Sequence, residues 1–142
     1  MELVDAAIER LLDTWPVARL ATVTPGGRPH VVPVVFARVG PRIFSPVDSK
    51  PKRGGELARV RHVRADPRVA LLLDRYDADW QLLWWLRLDG RAEVVERAES
   101  LAVAALRAKY PQYAGVPVLR EPPVLLAIDV LSRRSWRAGP LS

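Results

Sequence analysis

The sequence predicts a mainly β fold, a small antiparallel barrel or sandwich with helices at its periphery. About six strand-like segments and three amphipathic segments follow one another in the order helix, three strands, helix, two strands, helix, strand. Tight turns that contain Gly and Pro join the first strands, and strands joined in this way must be antiparallel, which excludes a doubly wound parallel sheet. A chain of 142 residues with no linker can bury one hydrophobic core, so we expect a single domain over residues 1–142.

The first third of the chain predicts one helix and three strands. The predicted elements are a helix over 2–13, a strand over 17–23, a second strand over 30–36 and a third over 42–47. The Thr-Pro-Gly-Gly turn at 24–27 predicts a hairpin between the first two strands. Pro33 interrupts the second strand, and because proline has no N–H, we expect this strand to lie at a sheet edge or to carry a bulge.

The remaining two thirds predict two helices and three strands. These elements are a helix over 56–65, strands over 69–73 and 82–95, a helix over 97–110 and a last strand that runs through 124–131 and ends near Trp136. The helix over 56–65 has apolar residues on one face and cations on the other. Gly90 lies inside the long strand, where an isolated glycine predicts a bulge or a bend.

The composition excludes several kinds of active site. The chain has no cysteine, which excludes disulfides, cysteine-ligated metal sites and cysteine nucleophiles. Its two histidines cannot supply three imidazoles to one metal, and we assign no metal ligand. No familiar nucleotide or nucleophile motif occurs, and we assign no catalytic side chain. Because no apolar run reaches the roughly 18 residues of a membrane span and the N-terminus lacks a secretory pattern, we expect a cytoplasmic protein.

A basic segment in mid-chain carries most of the net charge of +6. Residues 50–68 hold seven basic and two acidic side chains. A cation-rich loop that runs into a helix N-terminus offers backbone N–H groups and mobile cations to a phosphate. The candidate phosphate contacts are Lys50, Lys52, Arg53 and Arg59. A solvated charged surface is the alternative, whereas nucleic acid is disfavoured because the segment has no aromatic residue on which bases could stack.

Tryptophans cluster on the long predicted strand. Trp80, Trp84 and Trp85 fall within six positions, and on a strand Trp84 and Trp85 must face opposite sides of the sheet. One of the two is therefore expected in the core and the other in a groove or an interface. His30 begins the second strand, where a structural role and a role as a general base are both open.

Six blocks of sequence, taken in order, resemble one protein family. The blocks are RLATV at 19–23, GRPHVVPV at 27–34, VDSKPK at 47–52, DPRVALL at 66–72, YDADW at 76–80 and WWLR at 84–87, followed by Gly90. Together they are similar to the pyridoxamine 5′-phosphate oxidase-like split-barrel flavoproteins and, within them, to the branch that uses the deazaflavin coenzyme F420. The likeness runs from about residue 10 to residue 136.

This resemblance implies a six-stranded antiparallel split β-barrel, the FMN-binding split barrel, which forms a homodimer with a flavin-type cofactor in a groove between the subunits. It implies that the ring lies against Val32, Pro33 and Val34. The phosphate would be held by the basic residues that follow the third strand, Lys50 and Lys52 with Arg53 and Arg59. The chain departs from the family at His62, where asparagine is common, and at Pro51, which changes the lysine spacing.

The function implied by the resemblance is an F420-dependent oxidoreductase that transfers a hydride between reduced deazaflavin and a small organic acceptor. The residues expected to line the substrate face are Trp80, Trp84 and His30. Two alternatives remain open at this point. The same barrel could use flavin mononucleotide, or it could bind a flavin or deazaflavin without catalysis and store it.

Overall fold

The protein is described by a computed structural model that covers residues 1–47 and 56–141. The helices are α1 (Asp5–Thr14), α2 (Ala58–Ala65) and α3 (Ser100–Lys109), with one-turn 3₁₀ helices at Trp80–Leu82 and Pro111–Tyr113. The strands are β1 (Ala18–Val23), β2 (Pro29–Val34), β3 (Ala37–Val39), β4 (Arg42–Pro46), β5 (Arg68–Arg75), β6 (Trp84–Val95) and β7 (Leu125–Arg137). No helix within the described ranges is long and apolar enough to cross a membrane.

All seven strands form one antiparallel sheet in the order β2–β1–β5–β6–β7–β4–β3. The edge strands β2 and β3 are consecutive in the chain, and only Val35 and Phe36 separate them. Three peptide units span at most about 11 Å, so the two edges of the sheet must approach each other. The sheet therefore curls into a barrel that stays open between β2 and β3.

The predicted fold class is confirmed, but the strand count of six is wrong by one. The run over 30–36, predicted as one strand, ends at Val34, and the chain starts the separate short strand β3 at Ala37. Phe36 is fully buried, and both its N–H and its carbonyl are bonded by the Tyr110 hydroxyl rather than by a neighbouring strand. A side chain 74 residues away thus bonds the backbone at the point where the predicted strand divides in two.

The barrel interior is filled by the inward residues of the strands. Leu20, Leu71, Leu73, Leu86 and Ile128 are at most 1% exposed and belong to one core cluster, which also includes apolar residues of α1 and α2. A second, smaller cluster joins α3 to the outside of the barrel around β3, β4 and β7. One stretch of the outside is therefore covered by α3, whereas the outward side chains of β2, β1, β5 and β6 are exposed or partly exposed, and α2 packs with the core cluster.

The pairing of β6 with β7 explains two details of the sequence. The predicted irregularity at Gly90 is confirmed, because the β6–β7 register shifts between Asp89 and Gly90. A Cβ atom on Gly90 would lie 2.3 Å from the backbone oxygen of Asp129, so only glycine fits there. β7 ends at Arg137, close to the predicted end near Trp136, because its second half pairs with β6 although its side chains are mostly exposed.

Candidate functional site

The sheet register defines two ends of the barrel. One end is here called the α2 end, because α2 packs against β1 and β6 there. Strands β1 and β4 end at this end of the barrel, and strands β2, β5 and β7 begin at it. At the other, here called the aromatic end, the ring of Trp84 on β6 meets Trp15 edge-on at 4.8 Å between centroids. Strand β5 runs from the α2 end to the aromatic end through eight residues, a length of about 23 Å.

The surface of β2, β1, β5, β6 and β7 that points away from the core is here called the outer face. One row across it consists of Pro33, Arg19, Leu72, Arg87 and Arg134, and the next row towards the α2 end starts with Val31, Ala21 and Ala70. These residues are exposed or partly exposed, whereas their strand neighbours point into the core. The outer face thus places apolar side chains, with Val31 59% exposed, between arginines.

A cleft of about 400 Å³ opens on the outer face at the aromatic end. Trp85 and Trp136 are register partners there, and Leu72, Tyr76 and Arg87 also line the cleft. An ion pair of 2.7 Å between Arg19 and Asp74 borders the cleft. Its size is that of a small-molecule site, and its aromatic walls suit a flat ring.

The three predicted ring-contacting residues divide between the two faces of β2. Pro33 is exposed on the outer face, while Val34 is 6% exposed and Val32 packs against the core. Pro33 lies on an edge strand, as its missing N–H predicts. Because β2 has a neighbour on one side only, alternate residues direct their backbone N–H and carbonyl groups away from β1. Val32 and Val34 can therefore contact a ligand on the outer side only through their backbone.

The tryptophans predicted for the substrate face lie in different surroundings. Trp84 is 4% exposed and packs in the core against Trp15, although part of it reaches the cleft wall. Trp85 faces the other way, into the cleft, so the two neighbours face opposite sides as predicted. Trp80 is 71% exposed on its 3₁₀ helix and is not part of the cleft wall.

The predicted phosphate contacts are described only in part. Lys50, Lys52 and Arg53 lie outside the described residues. Arg59, on the first turn of α2, donates from Nη2 to the carbonyl of Pro46 at 3.5 Å, which places it beside the last residue of β4. Val47, where the chain leaves the described ranges, follows the last residue of β4, and Glu56, where the chain re-enters them, is bonded to Arg61 and Arg64 of α2, so both residues lie at the α2 end.

His30, which is partly exposed, and His62, which is buried, form a pair at the α2 end. Their rings meet edge to face with centroids 4.7 Å apart, and His62 is only 6% exposed. The Nδ1 atom of His62 lies 2.8 Å from the Thr22 hydroxyl oxygen, and Nδ1 of His30 is buried without a hydrogen-bond partner among the described residues. Burial lowers the pKa of His62, and the neighbouring His30 and Arg61 lower it further. The pair therefore links α2 to the hairpin β1–β2.

We expect the free energy of unfolding to fall as the pH drops below the ordinary histidine pKa of 6.5, and to fall less in the variant His62→Asn. The native chain holds a proton on His62 less tightly than the unfolded chain does, because burial disfavours the charged ring. The contribution of His62 to the free energy of unfolding is therefore present above pH 6.5, and it is lost as the pH falls towards the lowered pKa of His62 in the native chain. Urea titrations between about pH 8 and about pH 5 measure it. Equal slopes in the two proteins would contradict this assignment.

Three residues at the two ends of the barrel have no signal in the sequence. Leu72 and Trp136 reach the cleft only because β5, β6 and β7 are neighbours in the sheet. Arg120 lies in a proline-containing loop, and its backbone N–H donates to the Val47 carbonyl at 3.5 Å. Only the register of distant strands brings these residues to a candidate site.

Comparisons with solved structures agree with this architecture. The chain is 24% identical to a conserved hypothetical protein of Mycobacterium tuberculosis, with a TM-score of 0.76 over 96% of this chain and 86% of that one. It is 17% identical to the heme storage protein HutZ of Vibrio cholerae, with a TM-score of 0.73 over 96% and 95% of the two chains. A structure described as an F420 reductase is 25% identical, with a TM-score of 0.62 over 88% of this chain and 94% of the other. No protein of curated function matches the chain.

The sequence profile of one family covers nearly the whole chain. The profile described as pyridoxamine 5′-phosphate oxidase matches residues 4–137. The matched range includes every strand of the sheet and both ends of the barrel. The chain therefore belongs to the pyridoxamine 5′-phosphate oxidase family.

Proposed function

We propose that this protein is an oxidoreductase that uses the reduced deazaflavin coenzyme F420 at the interface of a homodimer and reduces a small organic acceptor. The observation that carries the proposal is the uncovered outer face. The aromatic cleft opens on this face, and Leu72 and Arg87 of its wall lie in the same row as Pro33 on the edge strand β2. The likeness to a structure described as an F420 reductase supports the choice of coenzyme.

A second subunit brings the two halves of the site together. Val47 and Glu56, the described residues on either side of 48–55, lie at the α2 end, whereas the cleft lies at the aromatic end, about 23 Å away along β5. A two-fold axis perpendicular to the strands would place the α2 end of one subunit beside the aromatic end of its partner. The outer face suits this contact because it is apolar at Val31, Ala21, Ala70 and Leu72 and has arginines around them.

The residues of the outer face fit a flavin-type ring. Trp85 and Trp136 offer flat apolar surfaces, and Leu72 lines the cleft with them. The free edge of β2 around Pro33 offers backbone donors and acceptors to ring heteroatoms. Lys50, Lys52 and Arg53, with Arg59 beside Pro46, would hold the phosphate as point charges and guanidinium donors.

The coenzyme, when bound, supplies the hydride chemistry, so the protein needs no nucleophile of its own. The chain's own residues bind the ring, orient it and exclude water from the cleft. We therefore assign no catalytic side chain, and His30, Trp80 and Trp84 stay candidates for lining the substrate face. The net charge of +6 favours an anionic coenzyme tail over a neutral ligand.

A non-catalytic binding protein is the second candidate function. It is favoured by the likeness to the heme storage protein HutZ, which covers 96% of this chain. The same barrel with flavin mononucleotide in place of the deazaflavin is the third. All three share a planar aromatic ligand with an acidic group, so ligand identity and turnover separate them.

Ligand titration of the purified protein tests the proposal. We expect the fluorescence of F420 to be quenched or shifted when the protein is added. The affinity should be micromolar or better, a binding free energy on the order of −8 kcal/mol, and F420 should bind more tightly than flavin mononucleotide. The double variant Lys50→Ala/Lys52→Ala should weaken F420 binding roughly 100-fold, because two charge-assisted contacts are lost. The charge-matched control replaces two exposed arginines of other regions, Arg10→Ala/Arg97→Ala, and should leave affinity within about 3-fold.

Each outcome has a defined meaning. Binding of F420 followed by oxidation of the reduced coenzyme in the presence of quinone or enone acceptors supports the oxidoreductase. Tight binding with no turnover supports the storage function. If flavin mononucleotide binds and F420 does not, the enzyme that uses flavin mononucleotide replaces the F420-dependent enzyme as the proposed function. If neither ligand binds, the proposal is overturned.

A further inference from the structure

We propose that Lys109 is a modification site whose amine accepts a small acyl group from an acyl thioester, in a cavity between α1, β3 and α3. The cavity measures about 240 Å³ and is separate from the aromatic cleft. Its lining residues are Asp13, Ala37, Arg38, Ala105, Ala108 and Lys109. The inference does not rest on the proposed function, because none of these residues belongs to a strand of the outer face.

Hydrogen bonds hold the Lys109 amine between α1 and the crossing from β2 to β3. Its Nζ atom donates to the Leu12 carbonyl at 2.9 Å and to the Phe36 carbonyl at 3.0 Å. Asp13 and Ala37, the residues that follow these two acceptors, line the cavity, so Nζ lies beside it. The Phe36 ring, whose centroid is 3.4 Å from Nζ, covers another side of the amine. The cavity is therefore the route by which a reagent reaches Nζ.

The surroundings of Lys109 favour the neutral amine, which is the nucleophilic form, more than water does. Burial lowers the pKa of Lys109 from its ordinary value of 10.5 to about 8, and the Asp13 carboxylate opposes part of this change. The other charged lining residue, Arg38, donates from Nε and Nη2 to Asp13 at 3.1 Å and 2.7 Å. On α3, burial raises the pKa of the Tyr110 hydroxyl, which therefore stays neutral. Roughly half of the Lys109 side chains are thus neutral at about pH 8, against less than about 1% for an ordinary lysine.

The bonding pattern of the neutral amine leaves the Nζ lone pair free. A neutral amine has two N–H groups, and the carbonyls of Leu12 and Phe36 can accept both. The lone pair attacks the carbonyl carbon of the thioester, so that an N–C bond forms and the C–S bond breaks. The leaving thiolate takes up the proton that the nitrogen loses. The products are an amide on Nζ and a free thiol, and no further reactant is needed.

The lining of the cavity favours an acyl group that is small and neutral. The methyl groups of Ala37, Ala105 and Ala108 make part of the wall apolar, and the volume has room for an acetyl group. A succinyl group would bring a second carboxylate next to Asp13, and repulsion between like charges disfavours it. We therefore expect acetyl transfer to be preferred over succinyl transfer at this lysine.

Acetylation should weaken the contact that Lys109 makes between α1 and the crossing. The amide nitrogen keeps one N–H and has no charge, so only one of the Leu12 and Phe36 carbonyls can keep its hydrogen bond. We expect the unfolding temperature of the acetylated protein to fall by roughly 3 °C.

Mass spectrometry of the native protein incubated with acetyl-coenzyme A tests the inference. The chain has two other lysines, Lys50 and Lys52, which serve as internal references. At pH 8 we expect Lys109 to be acetylated about 10-fold faster than either reference. Its rate should level off above about pH 8, while the rates of the references continue to rise. With succinyl-coenzyme A, the ratio of the Lys109 rate to the Lys52 rate should be lower.

Two pairs of variants separate the cavity from the amine itself. Ala108→Leu fills the cavity and should slow acetylation of Lys109 about 5-fold or more, whereas Ala104→Leu, at an exposed position of α3 outside the lining, should not change the rate. Asp13→Asn removes the carboxylate that favours the charged amine and should raise the Lys109 rate at pH 7 about 3-fold. Asp5→Asn removes the same charge at the start of α1 and should leave that rate unchanged.

The comparison among the three lysines needs no variant, so it decides even if Ala108→Leu does not fold. If Lys109 reacts no faster than Lys50 and Lys52, the inference is overturned. It is also overturned if folded Ala108→Leu reacts at the wild-type rate, because the cavity is then not the place of reaction. Lys109→Arg keeps the charge and the donors, and acetyl-coenzyme A should leave its unfolding temperature unchanged. An equal fall in that variant would show that the references cause the change.

Discussion

Replacing Val31 by arginine is expected to convert a dimer into folded monomers that no longer bind F420. Val31 is 59% exposed on the outer face, next to the row that contains Pro33, so the barrel itself tolerates a long polar side chain there. In the proposed dimer the same position is buried, and an unpaired charge in an interface costs several kcal/mol. We expect at least about 3 kcal/mol, which raises the dimer dissociation constant more than about 100-fold. Sedimentation velocity over a range of concentrations measures it.

A matched valine serves as the control for this prediction. Val4, at the start of α1, is 68% exposed and lies away from the outer face. Val4→Arg adds the same charge and should leave both the association state and F420 binding unchanged. If Val31→Arg sediments and binds like Val4→Arg, the outer face is not the interface and the two-subunit site is wrong.

Tyr110→Phe is expected to lower the free energy of unfolding by about 3 kcal/mol. The hydroxyl of Tyr110, which is 5% exposed, accepts from the Phe36 N–H at 3.0 Å, and it lies within donating distance of the carbonyls of Pro16 at 2.9 Å and Phe36 at 3.0 Å, to one of which its single hydrogen donates. Its removal leaves the buried N–H of Phe36 without a partner at the crossing between β2 and β3. Lys109 donates to the same Phe36 carbonyl at 3.0 Å and keeps part of the crossing in place.

Urea unfolding of the purified protein measures this change. Tyr76→Phe removes a hydroxyl from a tyrosine that is 77% exposed, so it should change stability by less than about 0.5 kcal/mol. The slope against urea should be the same in both variants, because the surface exposed on unfolding is the same. A Tyr110→Phe variant as stable as Tyr76→Phe would show that the hydroxyl does not hold the crossing.

The sequence predicts the element order and the edge position of Pro33 because these depend on local patterns. Apolar spacing marks α1, α2 and α3, and the Thr-Pro-Gly-Gly turn marks the hairpin β1–β2. The alternation of a strand places Trp84 and Trp85 on opposite faces, and Gly90 marks the irregularity of β6. The family resemblance is confirmed because it, too, depends on the order of short blocks along the chain.

Other features depend on contacts between residues far apart in the chain. The division of one apolar run into β2 and β3 depends on Tyr110, and the burial of Trp84 rather than Trp85 depends on Trp15. The approach of Arg120 to the end of β4 depends on its bond to Val47. Such contacts leave no periodic pattern in the sequence.

The amino-acid sequence by itself determined that this chain folds as an antiparallel barrel and carries a concentrated positive segment, because periodicity, turns and charge are properties of neighbouring residues. The tertiary structure alone decided that an aromatic cleft and the flanks of that segment lie at opposite ends of one uncovered face. The physical reason is strand pairing, which sets the register of distant segments and so decides which side chains share a surface.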